Sequence, residues 1–323
     1  MEYVEFPGVA TPVSRVVQGA IGLFAHDDPA RFAMLDAAVE AGINTFDTAV
    51  NYAFGGDGVD AMLGRWVRHR GGREGIVFFA KGCHPKLPHW DRPRVNLDAI
   101  AEDIDLSRRQ IGVEQLDLWM FHRDDPAMDI GILVEAVNAA IDRGHIGAWG
   151  VSNWTTARVE AAVEYADAHD LRGPVANSAH WSVVDQLDEP WDDVVTLTGA
   201  HREADRAWHQ ERGVKVVAWS PLAGGFLSER IGRDELEAAT EGHLADTARC
   251  YLNEVNWARR ERAAEVGRQH GLSLSQVALA WALHAEFQPL VIAGNASVEE
   301  VEQSTAAERA ELTADEVAYI FSG

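Results

Sequence analysis

With 323 residues, 47% of them hydrophobic and 24% charged, the chain has the composition of a globular protein with a large core, and it holds no run of about 18 apolar residues to span a membrane. Its 28 Lys and Arg against 51 Asp and Glu give a net charge of −23, so long-range repulsion opposes nucleic acid and anionic membrane as partners. Two cysteines, Cys83 and Cys250, are too few and too far apart for a disulfide framework, zinc-ligand spacing is absent, and Met1 to Arg15 lacks the apolar run of a signal peptide, so a cytoplasmic location is expected.

Short apolar runs alternate with longer stretches of helical period. A first strand over 16–19 precedes a helix over 29–40, which ends at Ala41-Gly42. A second strand over 43–46 leads into a helix with Val59, Met62, Leu63, Trp66 and Val67 on one face. The third strand, 76–80, is followed by a loop rich in His and Pro and a helix carrying Ile100, Ile104 and Ile111. Strand four covers 116–121, and the next helix buries Leu133, Ala136, Val137, Ala140 and Ile141. Strand five, 146–151, a helix with Val159, Ala162 and Val163, strand six over 175–177, a helix over 200–212 and strand seven over 214–219 continue the alternation. The region from 219 to about 253 reads as irregular and long enough to be a functional lid. Helices over 258–270 and 275–284 then lead to strand eight, 290–293, and a last helix follows Thr313.

Eight strand-helix alternations without a break in composition predict one α/β unit, a (β/α)8 TIM barrel over 1–323 whose active site lies at the C-terminal ends of the strands, with 219–253 as a loop covering a cofactor. No glycine-rich fingerprint follows the first strand, which argues against a doubly wound dinucleotide fold.

Polar residues at strand ends are informative because a barrel brings them to one mouth. Asp47 ends strand two with Tyr52 just beyond it, Lys81 ends strand three, and His122 ends strand four. Alone, each has an ordinary structural reading as a turn, cap or core residue. Lys81 is harder to dismiss. It follows Val-Phe-Phe-Ala, a run that predicts burial, and a buried ammonium needs a partner such as Asp47.

Here the sequence resembles the aldo-keto reductase family. The likeness rests on Gly42-Ile43-Asn44-Thr45-Phe46-Asp47-Thr48-Ala49 with Tyr52, Ala80-Lys81, Phe121-His122-Arg123-Asp124-Asp125-Pro126, the run from Gly144 to Trp154, and Ala218-Trp219-Ser220-Pro221-Leu222-Ala223-Gly224-Gly225, and it covers about residues 16 to 307. The resemblance implies an oxidoreductase that moves a hydride between NAD(P)H and a carbonyl or alcohol, with Tyr52 as general acid or base, Lys81 and Asp47 tuning it, and His122 orienting the substrate oxygen. It also implies that Ser152 and Asn153 bind the nicotinamide carboxamide, with Ser178 standing where a glutamine is usual, and that Trp219 stacks on the ring. The backbone of Ser220, Leu222 and Gly224 would wrap the pyrophosphate, and Gly19, Gly294, Asn295, Ser297, Glu300 and Ser304 complete the expected cofactor set.

Glu300 occupies a place where relatives often carry an arginine for a 2′-phosphate, and 291–308 contains no Lys or Arg, so NADH is expected to be favoured over NADPH. The alternative is a solvated acidic helix that never meets the ribose. Trp90, Arg123 and Trp154 are expected at the mouth as flat walls beside a guanidinium, which suits a polyhydroxylated ring and makes a sugar or keto-sugar the first candidate substrate; ordinary rim packing is the bland alternative. A rival function is a cofactor-binding accessory subunit of the ion-channel β type. His84 and His89 lack a carboxylate at ligand spacing, so no metal site is expected.

Overall fold

The computed structural model describes residues 1–25, 27–52, 57–86 and 89–322; positions 53–56 and 87–88, in the loops expected after the second and third strands, lie outside the described residues. The chain begins with an antiparallel hairpin that its sequence did not announce, β1 (Tyr3–Val4) and β2 (Val13–Ser14). Eight parallel strands then form the barrel: β3 (Val16–Gly19), β4 (Thr45–Asp47), β5 (Val77–Gly82), β6 (Leu116–Phe121), β7 (Ile146–Ser152), β8 (Ala176–Ser178), β9 (Lys215–Ala218) and β10 (Leu290–Ala293). They pair in chain order, and β10 returns to β3 with Val291 opposite Val16, which leaves no open sheet edge.

Helices α1 (Asp28–Glu40), α2 (Gly58–His69), α3 (Leu97–Ile111), α4 (Ile130–Asp142), α5 (Thr156–Ala168) and α6 (Glu203–Arg212) fill successive crossovers. Their starts are specified locally. Asp27 accepts the Ala30 amide at 3.1 Å with Pro29 in the first turn, Asn96 accepts Ala99 at 2.9 Å, and Thr155 accepts Arg158 at 3.3 Å, each satisfying an amide that a helix start leaves unpaired. At the other end, α3 stops at Gly112, whose φ of 83° disfavours a side chain.

Between β9 and β10 lie α7 (Arg233–Ala238), α8 (Gly242–Tyr251), α9 (Glu254–His270) and α10 (Leu274–Leu283), and α11 (Val298–Glu308) and α12 (Ala314–Ser322) complete the chain. The irregular stretch expected over 219–253 therefore needs correction, since it contains α7 and α8. The segment before α7 is pinned by Arg260 of α9, which donates to the carbonyls of Phe226, Ser228 and Ile231 at 2.8 to 2.9 Å.

Strand alternation divides the core in two. Val17, Val77, Phe79, Leu118, Met120, Ala148, Val217 and Leu290 fill the barrel interior, and Phe6, Val9 and Val13 of the hairpin segment pack with them. Phe46, Phe78, Ala80, Trp119, Phe121, Trp149 and Val151 point outward against the helices. A period of two then fixes what comes next along each strand. Asp47 is out of phase with Phe46, Lys81 is in phase with Val77 and Phe79, and His122 is in phase with Leu118 and Met120. All three enter the lumen at its C-terminal end.

Candidate active site

The barrel brings together the four residues that the strand ends single out. Lys81 Nζ donates to Asp47 Oδ1 and, at 3.4 Å, to the Thr48 carbonyl; Lys81 is 2% exposed and Asp47 3%. The same ammonium lies 5.4 Å from the centre of the Tyr52 ring, and that ring meets His122 edge-on with centroids 5.5 Å apart. Nδ1 of His122 is buried and has no hydrogen-bond partner among the described residues.

Burial opposes the Lys81 ammonium, yet the Asp47 charge, the charge Tyr52 carries once ionised and hydrogen bonding to both together outweigh it and hold the lysine above its ordinary pKa. For Tyr52 the balance runs the other way. Burial raises the phenol and Lys81 pulls it down by less, so its pKa lies above the usual value. The resemblance implies the pull of Lys81 on the phenol; that burial exceeds it follows only from the structure. Burial, followed by the Lys81 charge, drives His122 well below its ordinary pKa, and burial takes neighbouring His84 down to about 4, so both imidazoles are neutral at physiological pH.

A network behind β5 sets the loop that carries His84. Asp103, fully buried on α3, accepts the Cys83 amide at 2.7 Å and both terminal nitrogens of Arg94 at 2.8 and 3.0 Å; Arg94 in turn donates to the His84 carbonyl at 3.2 Å. Gly82 permits this approach, because a Cβ there would stand 2.7 Å from both Asp103 and Trp119. On the other side of Lys81, the fully buried Asp60 accepts hydroxyls from Thr48 and Ser107, each at 2.6 Å.

The residues expected to hold a dinucleotide divide into available and committed groups. Ser178 is 1% exposed and its hydroxyl has no partner among the described residues, so this short replacement for a glutamine is an unmatched polar atom. Ser152 Oγ donates to the Ser178 carbonyl at 3.1 Å and receives Asn153 Nδ2 at 3.1 Å. Asn153 has a φ of 59°, and its Oδ1 accepts Trp219 Nε1 at 3.1 Å. Beyond Trp219 the chain turns through left-handed conformations at Ser220 (φ 50°), Ala223 (51°) and Gly224 (64°), a turned backbone of the kind that gathers amides around anions. His243 and Thr247 of α8 donate to the Gly224 carbonyl at 2.8 and 3.2 Å, which holds this turn against the helix.

Four residues expected at the cofactor, Asn295, Ser304, Gly19 and Ser297, have structural roles of their own. Asn295 and Ser304 spend their side chains internally: Asn295 donates to Gln18 at 2.9 Å and accepts Ser304 Oγ at 2.6 Å, so together they join β10, β3 and α11. Gly19 is explained by strand packing, since a Cβ would stand 2.9 Å from Ile292. Ser297 caps α11 through the Glu300 amide at 3.2 Å. Gly294 has open space where a Cβ would lie, as a close ligand approach requires. Glu300 is not an uncompensated charge, because Arg230, from the segment after β9, lies 2.6 Å from its Oε1 while Oε2 accepts the Ala296 amide at 2.8 Å. Arg230 was missed because nothing near it in sequence signals a partner so far along the chain.

Among the residues expected at the mouth, Trp90 is half exposed and stands edge-on to His84 at 5.3 Å. Arg123 is half-buried and donates to the His122 carbonyl at 2.9 Å. Trp154 needs correction. It is fully buried against Phe121, donates to the Arg123 carbonyl at 3.2 Å and presents no face to the mouth. Trp191, which the sequence reading passed over, is 47% exposed and lies 5.2 Å from the Trp219 ring. Among the described residues no three His, Cys, Asp or Glu side chains are grouped to hold a metal ion, and no helix is long and apolar enough to cross a membrane.

Comparison with known proteins gives a match to the model of the Aldo/keto reductase family over residues 15–322. Among the most similar curated relatives, a Schizosaccharomyces pombe protein provisionally named as a voltage-gated potassium channel subunit beta is 27% identical over 84% of this chain and 77% of its own. The aldo-keto reductase str7 of Strobilurus tenacellus is 27% identical over 94% of this chain and 83% of its own. The 6-dehydroglucose reductase of Agrobacterium fabrum is also 27% identical, over 94% and 91%.

Proposed function

Since the chain belongs to the aldo/keto reductase family and is an oxidoreductase of a family that uses NAD(P)H, we propose that it reduces a carbonyl compound to an alcohol, or runs the reverse, with Tyr52 as the proton donor and acceptor. The observation that carries this reading is the convergence of Asp47, Tyr52, Lys81 and His122 from separate segments in one lumen. The bound dinucleotide supplies the hydride. Everything else falls to the chain. The Tyr52 phenol, kept protonated by burial, donates to the carbonyl oxygen, and Lys81, held charged by Asp47, stabilises the tyrosinate left behind. His122, neutral and edge-on to the Tyr52 ring, directs the carbonyl oxygen toward Tyr52.

Ser152, Asn153 and Ser178 would hold the carboxamide, Trp219 the face of the ring, and the turn from Ser220 through Leu222 to Gly224 the pyrophosphate. The orphan Ser178 hydroxyl, the left-handed turn and the space beside Gly294 support that assignment. NADH is the favoured dinucleotide in this reading. Arg230 is already engaged by Glu300, so a 2′-phosphate would have to break an ion pair to obtain a cation there. An exposed pair of this kind is worth about 0–1 kcal/mol, which makes the preference modest. In the same reading the chain is one barrel unit whose first substrate class is a sugar or keto-sugar; support comes from the flat Trp90 wall and from the relative named for 6-dehydroglucose.

The name of the fission-yeast relative keeps an accessory-subunit reading in play. One experiment separates the two. Tyr52→Phe should lower kcat for aldehyde reduction by roughly 10²- to 10⁴-fold while the dissociation constant for NADH, read by fluorescence titration, changes little. Negligible wild-type turnover of bound NADH by a reactive aldehyde would favour the accessory role, and full activity of Tyr52→Phe would remove the assigned acid.

A further inference from the structure

Arg123 stands at the mouth with an unusual account of its charges. In the run His122-Arg123-Asp124-Asp125, Asp124 is taken by Arg158 at 3.2 Å, and Asp125 closes a turn onto the Ala127 amide at 3.1 Å. Among the described residues, no carboxylate lies within 4.0 Å of the Arg123 guanidinium, and its one hydrogen bond goes to the His122 carbonyl. Asp192 and Asp193 act on it only through space. The guanidinium is tethered at one nitrogen by the His122 carbonyl, and Trp154 holds the Arg123 backbone through its carbonyl. A half-buried guanidinium, oriented and with most of its five donors unspent, suits a planar anion received in a fork. His84 and His122 beside it are neutral and contribute no competing charge.

On the reductase reading above, we propose that Arg123 binds a carboxylate on the substrate, so that the preferred substrates are aldehydes or ketones bearing an acid group, a sugar acid being the hydroxylated case. A carboxylate fits better than a phosphate. A dianion would meet one cation with Asp192 and Asp193 nearby, whereas a single negative charge is matched by a single guanidinium.

The test compares matched acid and amide substrates, succinic semialdehyde with its amide and 4-formylbenzoate with 4-formylbenzamide, in the wild type, Arg123→Gln and Arg123→Lys. The wild type should favour the acid of at least one pair by tenfold or more in kcat/KM, equivalent to about 1.4 kcal/mol. Arg123→Gln should bring that ratio near one, mainly through KM for the acid, and Arg123→Lys should fall between. Equal use of acid and amide in both pairs by the wild type overturns the proposal. So does an Arg123→Gln enzyme that slows acid and amide alike and shifts the alkaline limb of its pH profile, because the guanidinium would then serve Tyr52. A binding arm on the wild type with NAD⁺ reads benzoate against benzamide by tryptophan fluorescence, with benzoate expected to bind at least tenfold more tightly. If no aldehyde turns over with either dinucleotide, the reductase reading fails, and the benzoate arm still decides the role of Arg123.

Discussion

At Tyr52 two effects of opposite sign meet. Burial raises the phenol pKa, and the Lys81 ammonium lowers it by less, so the group keeps its proton through the neutral range. The reductive rate should therefore stay flat from about pH 6 to 9 and fall only where a phenol begins to ionise, at or above about 10. His122 is driven well below its ordinary pKa and His84 to about 4, so neither imidazole should add a limb between pH 5 and 7. Lys81→Met removes the downward pull and leaves Tyr52 a still weaker acid in the active form. It should slow oxidation of an alcohol more than reduction of an aldehyde, since the tyrosinate is what the oxidative direction needs. Stopped-flow measurement of both directions across pH checks this, and a limb with its midpoint near pH 6.5 in the wild type would mean that a histidine, not Tyr52, carries the proton.

Among elements, the segment after β9 and helix α11 meet through Arg230 and Glu300. Glu300→Gln keeps an acceptor for the Ala296 amide and releases the guanidinium. The ratio of kcat/KM for NADPH over NADH should then rise severalfold, in line with an exposed pair worth up to about 1 kcal/mol. An unchanged ratio would place Arg230 away from any 2′-phosphate, and a wild-type preference for NADPH would undo the selectivity assigned here. The same pair shows where the sequence stops being legible. Asp47, Lys81 and His122 could be found because each follows an apolar run whose alternation fixes its direction into the lumen. Arg230 and Glu300 share no periodic element, and their meeting depends on how α9, through Arg260, anchors the preceding turn. The surroundings of Trp154 and Asn295 are hidden from the sequence for a related reason. The motif placed them at strand ends, while their neighbours in space, Phe121 and Arg123 in one case and Gln18 and Ser304 in the other, had already taken them into the packing.

For the whole molecule, burial of neutral histidines sets the response to acid. His180 is fully buried and its pKa falls to about 3, His84 falls to about 4, and burial lowers His122 and His209 as well. His180, His84 and His122 take up a proton in the unfolded chain near pH 6.5 and do not in the folded one until much lower, and His209 shifts in the same direction. The unfolded state thus binds more protons as pH drops through this window, and stability must fall with it. A fully neutral-held histidine costs about 1.4 kcal/mol of stability by pH 5.5 relative to pH 8. Two effects oppose the trend. The net charge of −23 shrinks as acid is added, and the carboxyls of Asp47, Asp60, Asp117 and Asp124, all raised chiefly by burial, gain protons in the folded state first. Most carboxylates, however, titrate near pH 4, so relief of the overall charge comes largely below the histidine window. The melting temperature should consequently drop by on the order of 5 °C between pH 7.5 and 5.5. His180→Gln, which can still reach the hydroxyls of Thr196 and Tyr251 that the imidazole meets at 2.9 and 3.3 Å, should flatten part of that slope. A melting temperature that holds or rises over the same interval would show the buried carboxyls dominating, and with them a folded state that takes up protons ahead of the unfolded chain.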